Sequence, residues 1–188
     1  MEQQIIRKNQ SIIQEIHHDA PLTSSEAAIL WRSNAYYDML RCIYKHFLNT
    51  VEDPDLQPFI EDSVSLFETR MNLTSDILRR EGQPIPKGFG DEDIDSGAPR
   101  LFTDLYYYYY TLNMLRIGLP LNGTNLSHSI REDVRDYYSE SLMSTKRLYN
   151  RFSEIMLKKG IYIRPPIINT FKEADIVENQ NFLRGFLG

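Results

Sequence analysis

Gly82–Asp104 reads Gly-Gln-Pro-Ile-Pro-Lys-Gly-Phe-Gly-Asp-Glu-Asp-Ile-Asp-Ser-Gly-Ala-Pro-Arg-Leu-Phe-Thr-Asp, and it interrupts a chain whose apolar residues otherwise recur at helical period. Proline and glycine crowd this stretch, and both break regular helix. About seventeen residues separate Gly82 from Pro99, more than most helix–helix connections use. The preceding helix, roughly 27 residues, would be about 40 Å long. A fully extended run of about seventeen residues spans at most about 55 Å. The joint can therefore cross an entire bundle and set the third helix parallel to the second. One long crossover between two tight hairpins is the ferritin-like arrangement, and this all-α, four-helix bundle is the predicted fold. A plain up-down bundle with a long loop is the other topology that the length permits.

The helices themselves are read from caps and spacing. Thr23 and Glu26 have capping-box spacing, so helix one is predicted to start after Thr23. Leu30, Tyr37, Leu40, Tyr44, Phe47 and Val51 then fall on one face, with Trp31 at its flank. Asp53-Pro54 is predicted to open helix two, Asp as N-cap and Pro in the first turn. So short a turn makes the first two helices antiparallel. Ile60, Val64, Phe67, Met71, Thr74 and Leu78 alternate steps of four and three, and Gly82 stops the helix. Helix three is predicted from near Pro99, with Leu101, Leu105, Tyr108, Leu112 and Leu115 as its stripe and Gly118 and Pro120 as its end. The run Tyr106–Tyr110 covers more than one turn, so these rings cannot all face one core, and each buried hydroxyl needs a partner. Helix four is predicted from about Asn125 to Lys159, along Ile130, Val134, Tyr137, Ser141, Ser144, Leu148, Phe152 and Ile155. Its two serines stand where apolar residues belong, leaving room for large neighbours or accepting a tyrosine hydroxyl. The expected organisation is an arm or short helix over 1–21, a bundle over 22–160, and a tail over 161–188. Val177, Phe182, Leu183, Phe186 and Leu187 of that tail would cover the bundle or a partner chain.

Composition narrows the function classes. A net charge of −5 argues against nucleic-acid binding, which needs a basic face. Nothing approaches the roughly 18 consecutive apolar residues of a membrane span. Arg7, Lys8 and Glu15 interrupt the apolar core that a secretory signal requires, and Cys42, the single cysteine, leaves no internal disulfide. A cytoplasmic location is the expectation. A di-iron bundle needs inward glutamates and two Glu-x-x-His pairs. The one such pair, Glu15…His18, sits in the arm, and the core positions are apolar, Tyr or Ser. No metal, cofactor or catalytic residue is therefore expected. His17-His18 reads as surface, and Cys42 as a small buried filler. Asp91-Glu92-Asp93-Ile94-Asp95 lacks the ordered spacing of a calcium loop and reads as a solvated loop capping the next helix. Asp104, Tyr108, Arg131 and Arg135 form the candidate cluster, as a structural ion pair or, on a sharper reading, a small anion or ligand site beside the tyrosines.

One resemblance adds to this. Leu22-Thr23-Ser24-Ser25-Glu26 with Leu30-Trp31, Glu52-Asp53, Pro84-Ile85-Pro86-Lys87-Gly88-Phe89, Ala98-Pro99-Arg100-Leu101-Phe102, Lys159-Gly160 and Arg164-Pro165-Pro166 are in the spacing of an uncharacterised family of endospore-forming bacteria. The chain resembles that family from about Leu22 to its C-terminus. Its members are labelled putative spore coat proteins and are related in fold to spore-coat-F-type proteins. The resemblance implies a ferritin-like bundle, a structural or interaction role in the spore coat or in sporulation, and no established catalytic residue. Many relatives look like two copies of this unit in tandem, so a homodimer, or association with other coat proteins, is expected of this one copy. A small-molecule-binding or metal-binding ferritin-like protein is the alternative.

Overall fold

The computed structural model describes residues 20–166, and among them the secondary structure is helical, with no strand. Most of the predicted arm, with Glu15, His17 and His18, and the tail residues from 167 onward lie outside the described residues. Four long helices form the bundle: α1 Ser24–Thr50, α2 Gln57–Arg80, α3 Asp104–Ser127 and α4 Glu132–Lys158. The chain is thus an all-α helical bundle, as its periodicity predicts.

The start of α1 follows from its cap. Thr23 Oγ1 accepts the Glu26 backbone N–H, and the Glu26 carboxylate accepts the Thr23 N–H, completing the capping box. Leu30, Tyr37, Leu40, Tyr44 and Phe47 are all buried, whereas Trp31 is 44% exposed. The entry to α2 differs from expectation. Asp53 does not cap the helix: its carbonyl accepts the Leu56 and Gln57 N–H groups in a preceding turn, and Pro58 is the proline in the first helical turn. The exit is as read. Gly82 takes φ +63, and Gln83 N–H returns to the Leu78 carbonyl, a left-handed C-terminal motif that suits glycine.

Two boundaries move. The third helix begins at Asp104, not near Pro99, so Leu101 lies outside it and is 68% exposed. It then runs through Gly118, Pro120 and Gly123 to Ser127. The fourth begins at Glu132, and Ile130, expected in its stripe, is 50% exposed in the turn between the two. Buried Tyr138, Thr145 and Met156 join Val134, Tyr137, Ser141 and Phe152 on the inner face of α4.

Side-chain contacts fix the directions. Asn34 donates to Thr74 while Tyr44 meets Phe67, so α1 and α2 are antiparallel. Phe47 stacks on Tyr107 at 4.2 Å while Tyr37 donates to Asn122, so α3 also runs against α1. Phe59 packs on Phe152 at 4.5 Å while Arg80 pairs with Asp133, so α4 runs against α2. It follows that α2 and α3 are parallel, and residues 81–103 cross the bundle to join them. That crossover lies along α1. Asp38 accepts the Phe89 N–H, Arg41 donates to the Phe89 carbonyl, and Asp91 pairs with both Arg41 and Lys45. The acidic run therefore holds the crossover to α1 instead of capping the next helix. Half-buried Cys42 sits beneath it, its thiol 3.7 Å from the Gly90 carbonyl.

The core falls into two apolar clusters. The larger gathers Tyr44, Phe47, Phe59, Phe67, Tyr107 and Phe152 with their neighbours, and the smaller gathers Ile29, Leu30, Ile77, Leu78, Val134 and Tyr138. Polar side chains lie between them.

Candidate functional site

The four residues singled out from the sequence do not come together. Asp104 opens α3, where its carboxylate is 2.8 Å from Arg100 and accepts the Glu52 N–H. Arg131 follows the far end of that 24-residue helix, roughly 36 Å away at 1.5 Å per residue. There its guanidinium, 2% exposed, is held by Glu81 at 2.6 Å, Asp133 at 2.7 Å and the Ala20 carbonyl. Tyr108 is buried near the Asp104 end of the bundle, packed 5.5 Å from Phe152. Arg135 is half-buried one turn after Arg131 and has no ion-pair partner among the described residues. Arg131 and Asp104 thus tie down opposite ends of the bundle.

The Arg131 end is organised by Glu26. This carboxylate is 1% exposed, caps α1 through Thr23, and accepts the Ile130 and Arg131 N–H groups at 2.8 and 2.7 Å. Burial works to raise its pKa, but the hydrogen bonds from Arg131, Thr23 and Ile130 outweigh burial and hold it below the usual glutamate value. One side chain thereby fixes the N-terminus of α1 to the turn between α3 and α4.

The middle of the bundle holds an arrangement that the sequence reading missed. Arg70 lies on the inner face of α2, between Phe67 and Thr74, and is only 5% exposed. Its guanidinium donates to the Tyr37 hydroxyl at 3.2 Å, the Ser141 carbonyl at 3.0 Å, Ser144 Oγ at 2.7 Å and Thr145 Oγ1 at 3.0 Å. It also lies over the Tyr37 ring, 5.0 Å from the centroid. Tyr37 in turn donates to Asn122, and Asn122 donates to Thr145. The layer continues toward the smaller cluster, where Asn34 donates to Met71, Thr74 and Ser75, and Ser33 shares a hydrogen bond with Tyr138. Beside Arg70 is a cavity of about 30 Å3, lined in part by Tyr36, Tyr37, Gly118, Asn122 and Thr145. That is room for one or two waters, well below the roughly 300 Å3 at which drug-sized pockets begin.

The signal for Arg70 lay in its partners. Ser141 and Ser144 occupy apolar positions of the α4 stripe, and the room they leave is taken by a guanidinium from the facing helix, not by a tyrosine hydroxyl. Tyrosines dominate the surrounding titration. Burial and the neighbouring Tyr37 push Tyr36 up to about 12, and burial raises Tyr44, Tyr137 and Tyr138 as well. These phenols stay protonated at neutral pH. The Tyr106–Tyr110 run divides as its length requires: Tyr107 and Tyr108 are buried, Tyr109 and Tyr110 half-buried, and Tyr106 is 44% exposed. Tyr107 shares a hydrogen bond with Thr50, and Tyr109 donates to the Ile161 carbonyl. Among the described residues, no three His, Cys, Asp or Glu side chains are grouped so as to hold a metal ion, and no helix is long and apolar enough to cross a membrane.

Similarity to known proteins points the same way as the fold. A family model described as "Protein of unknown function (DUF3231)" matches residues 10–173. The uncharacterized protein YvdQ of Bacillus subtilis (strain 168) is 25% identical over 155 residues, which is 79% of this chain and 90% of that one. The crystal structure of a putative spore coat protein from Bacillus halodurans C-125 superposes with a TM-score of 0.73 at 25% identity, covering 81% of this chain and 98% of that one. A conserved hypothetical protein from Mycobacterium tuberculosis shares the fold, with a TM-score of 0.59 at 14% identity over 77% of this chain and 97% of that one.

Proposed function

Because the chain belongs to the DUF3231 family of unknown function, we propose that it is a sporulation-associated protein that acts in the spore coat through its surfaces. We also read its crossover topology as ferritin-like, on the strength of the parallel α2 and α3. The observation that carries the functional reading is the likeness to the Bacillus halodurans protein described as a putative spore coat protein, which extends over 98% of that chain. A solid core supports it. The cavity beside Arg70, about 30 Å3, is too small for an organic substrate, and the roomier hollow of about 650 Å3 is an open groove bordered by Arg79, Arg80, Asp133 and Tyr137.

The surface supports self-association or binding to other coat proteins. Leu101, Phe102, Leu105 and Tyr106 are 68%, 42%, 51% and 44% exposed. They are close neighbours where the crossover enters α3, and the Phe102 and Tyr106 rings stack at 4.1 Å. Contiguous exposed apolar side chains of this kind mark interaction sites. The test is a fluorescent fusion of the full chain in sporulating Bacillus subtilis, followed by sedimentation of the purified protein. Fluorescence concentrated on the developing spore and a dimer or larger species are expected. Diffuse fluorescence throughout sporulation would remove the coat reading, and a strict monomer at micromolar concentration would remove self-association.

A further inference from the structure

We propose that the cavity beside Arg70 is a binding site for a single halide-class monovalent anion. This goes beyond the coat reading and does not depend on it. Arg70 is a permanent cation, 5% exposed, in the middle of a helical bundle. All four of its hydrogen-bond acceptors are neutral: the Tyr37 hydroxyl, the Ser141 carbonyl, Ser144 Oγ and Thr145 Oγ1. Among the described residues no carboxylate pairs with it. Buried cations are ordinarily paired, because an uncompensated charge in the interior is strongly destabilising. The other buried arginine among the described residues shows the contrast, since Arg131 is 2% exposed and held by both Glu81 and Asp133.

The groups left over around the cavity are suited to an anion. Arg70 Nε is buried with no acceptor, and the Tyr36 hydroxyl is buried with no partner. Both residues line the cavity. The N–H can only donate, and the phenol can donate. Tyr36 also cannot be the missing negative charge, because burial and Tyr37 push its pKa up to about 12. Tyr137, another buried hydroxyl without a partner though outside the cavity lining, is raised well above the ordinary value by burial and by Tyr37. A water in the cavity could accept from Arg70 but would bring no charge. The volume, about 30 Å3, admits one monatomic ion. Half-buried Tyr36, Met114 and Leu148 and exposed Leu121 border the cavity, so an ion need cross only one layer of side chains to enter.

Bromide is the probe, since it can be located by its anomalous scattering. Crystals of the full chain grown in sodium bromide are expected to show one anomalous peak in the cavity, at hydrogen-bond distance from Arg70 Nε. In solution, thermal unfolding is followed in sodium bromide and in sodium gluconate at equal ionic strength. The midpoint is expected to rise with bromide, in proportion to the logarithm of its concentration once that exceeds the dissociation constant, as it must when a ligand binds only the folded state. Tyr36→Phe keeps the ring and removes one donor, and is expected to raise the apparent bromide dissociation constant by about tenfold, the effect of losing one hydrogen bond to a charged group. Arg70→Met is expected to abolish the response. If that variant does not fold, the Tyr36→Phe titration and the anomalous map decide the matter. A cavity holding only water, a carboxylate of this chain seated on Arg70, or a bromide peak with no rise of the midpoint over that in gluconate would each overturn the proposal. So would an unchanged response in Tyr36→Phe.

Discussion

Glu26 shows how much a single residue can tie together. Its spacing from Thr23 made the capping box legible in the sequence. Its second task was not, because Ile130 and Arg131 lie more than a hundred positions away and meet it only once α3 and α4 have turned back on α1. Glu26→Gln keeps the shape but replaces a charged acceptor by a neutral one. A loss of about 1–3 kcal/mol in unfolding free energy is expected from the weakened charge-assisted bonds. The pH dependence has a definite sign. The folded pKa lies below the unfolded one, so the ionised carboxylate contributes its full stability above the unfolded value. That contribution is lost as pH falls through the folded value. Urea titrations between pH 7 and pH 3 should therefore show wild type and variant converging at the acid end. A gap that stays constant across this range would mean that the charge of Glu26 is not what stabilises the fold.

Elements are legible in the sequence where local signals and burial agree, and obscured where they compete. The stripes of α1 and α2 and the glycine stop at Gly82 are local, and they hold. Helix α3 passes through Gly118, Pro120 and Gly123, each a breaker on propensity alone. It continues because Leu115, Gly118, Asn122 and Asn125 form one buried face, and burial outweighs propensity within a bundle. Pro120 sits on the exposed side, where the carbonyl it leaves unpaired can meet water. Arg70 was illegible for a related reason: an arginine in an amphipathic helix is normally solvent-facing, and only the small hydroxyl residues of the opposing helix mark it as internal. The glycines now separate by conformation. A Cβ at Gly123 would meet nothing within 4 Å, and φ there is negative, so Gly123→Ala should stabilise by about 0.5–1 kcal/mol. Gly82 also has space, but at φ +63, so Gly82→Ala should cost about 1 kcal/mol. Thermal melts of the two variants should move in opposite directions. Gly88 tests the crossover as an element. A Cβ there would fall on the Asp38 carboxylate, which accepts the Phe89 N–H. Gly88→Ala should displace Asp38 and expose residues 83–103 to limited proteolysis while helical circular dichroism stays unchanged. Equal cleavage rates in variant and wild type would show that the Asp38 contact does not hold the crossover down.

At the scale of the molecule, two antiparallel hairpins meet through aromatic pairs at one end, polar side chains in the middle and a smaller apolar cluster at the other. That packing uses the inner faces of all four helices and leaves the start of α3 with more apolar surface than the bundle covers. Leu105 is the sharpest probe of that surface, being 51% exposed on a helix whose inner side is already filled by Tyr107, Tyr108, Thr111 and Leu112. A carboxylate there would stay in water in a monomer, so Leu105→Glu should change unfolding free energy by no more than about 0.5 kcal/mol. In an assembly that buries this patch, the same charge would lose its hydration without gaining a partner. About 3 kcal/mol of such a penalty corresponds to at least a hundredfold weaker association. The expected outcome is a variant with an unaltered melting temperature that sediments as a monomer at concentrations where wild type is assembled. An assembled variant of unchanged affinity would place the interface on another face, and the exposed residues at the start of α3 would then need no partner to explain them.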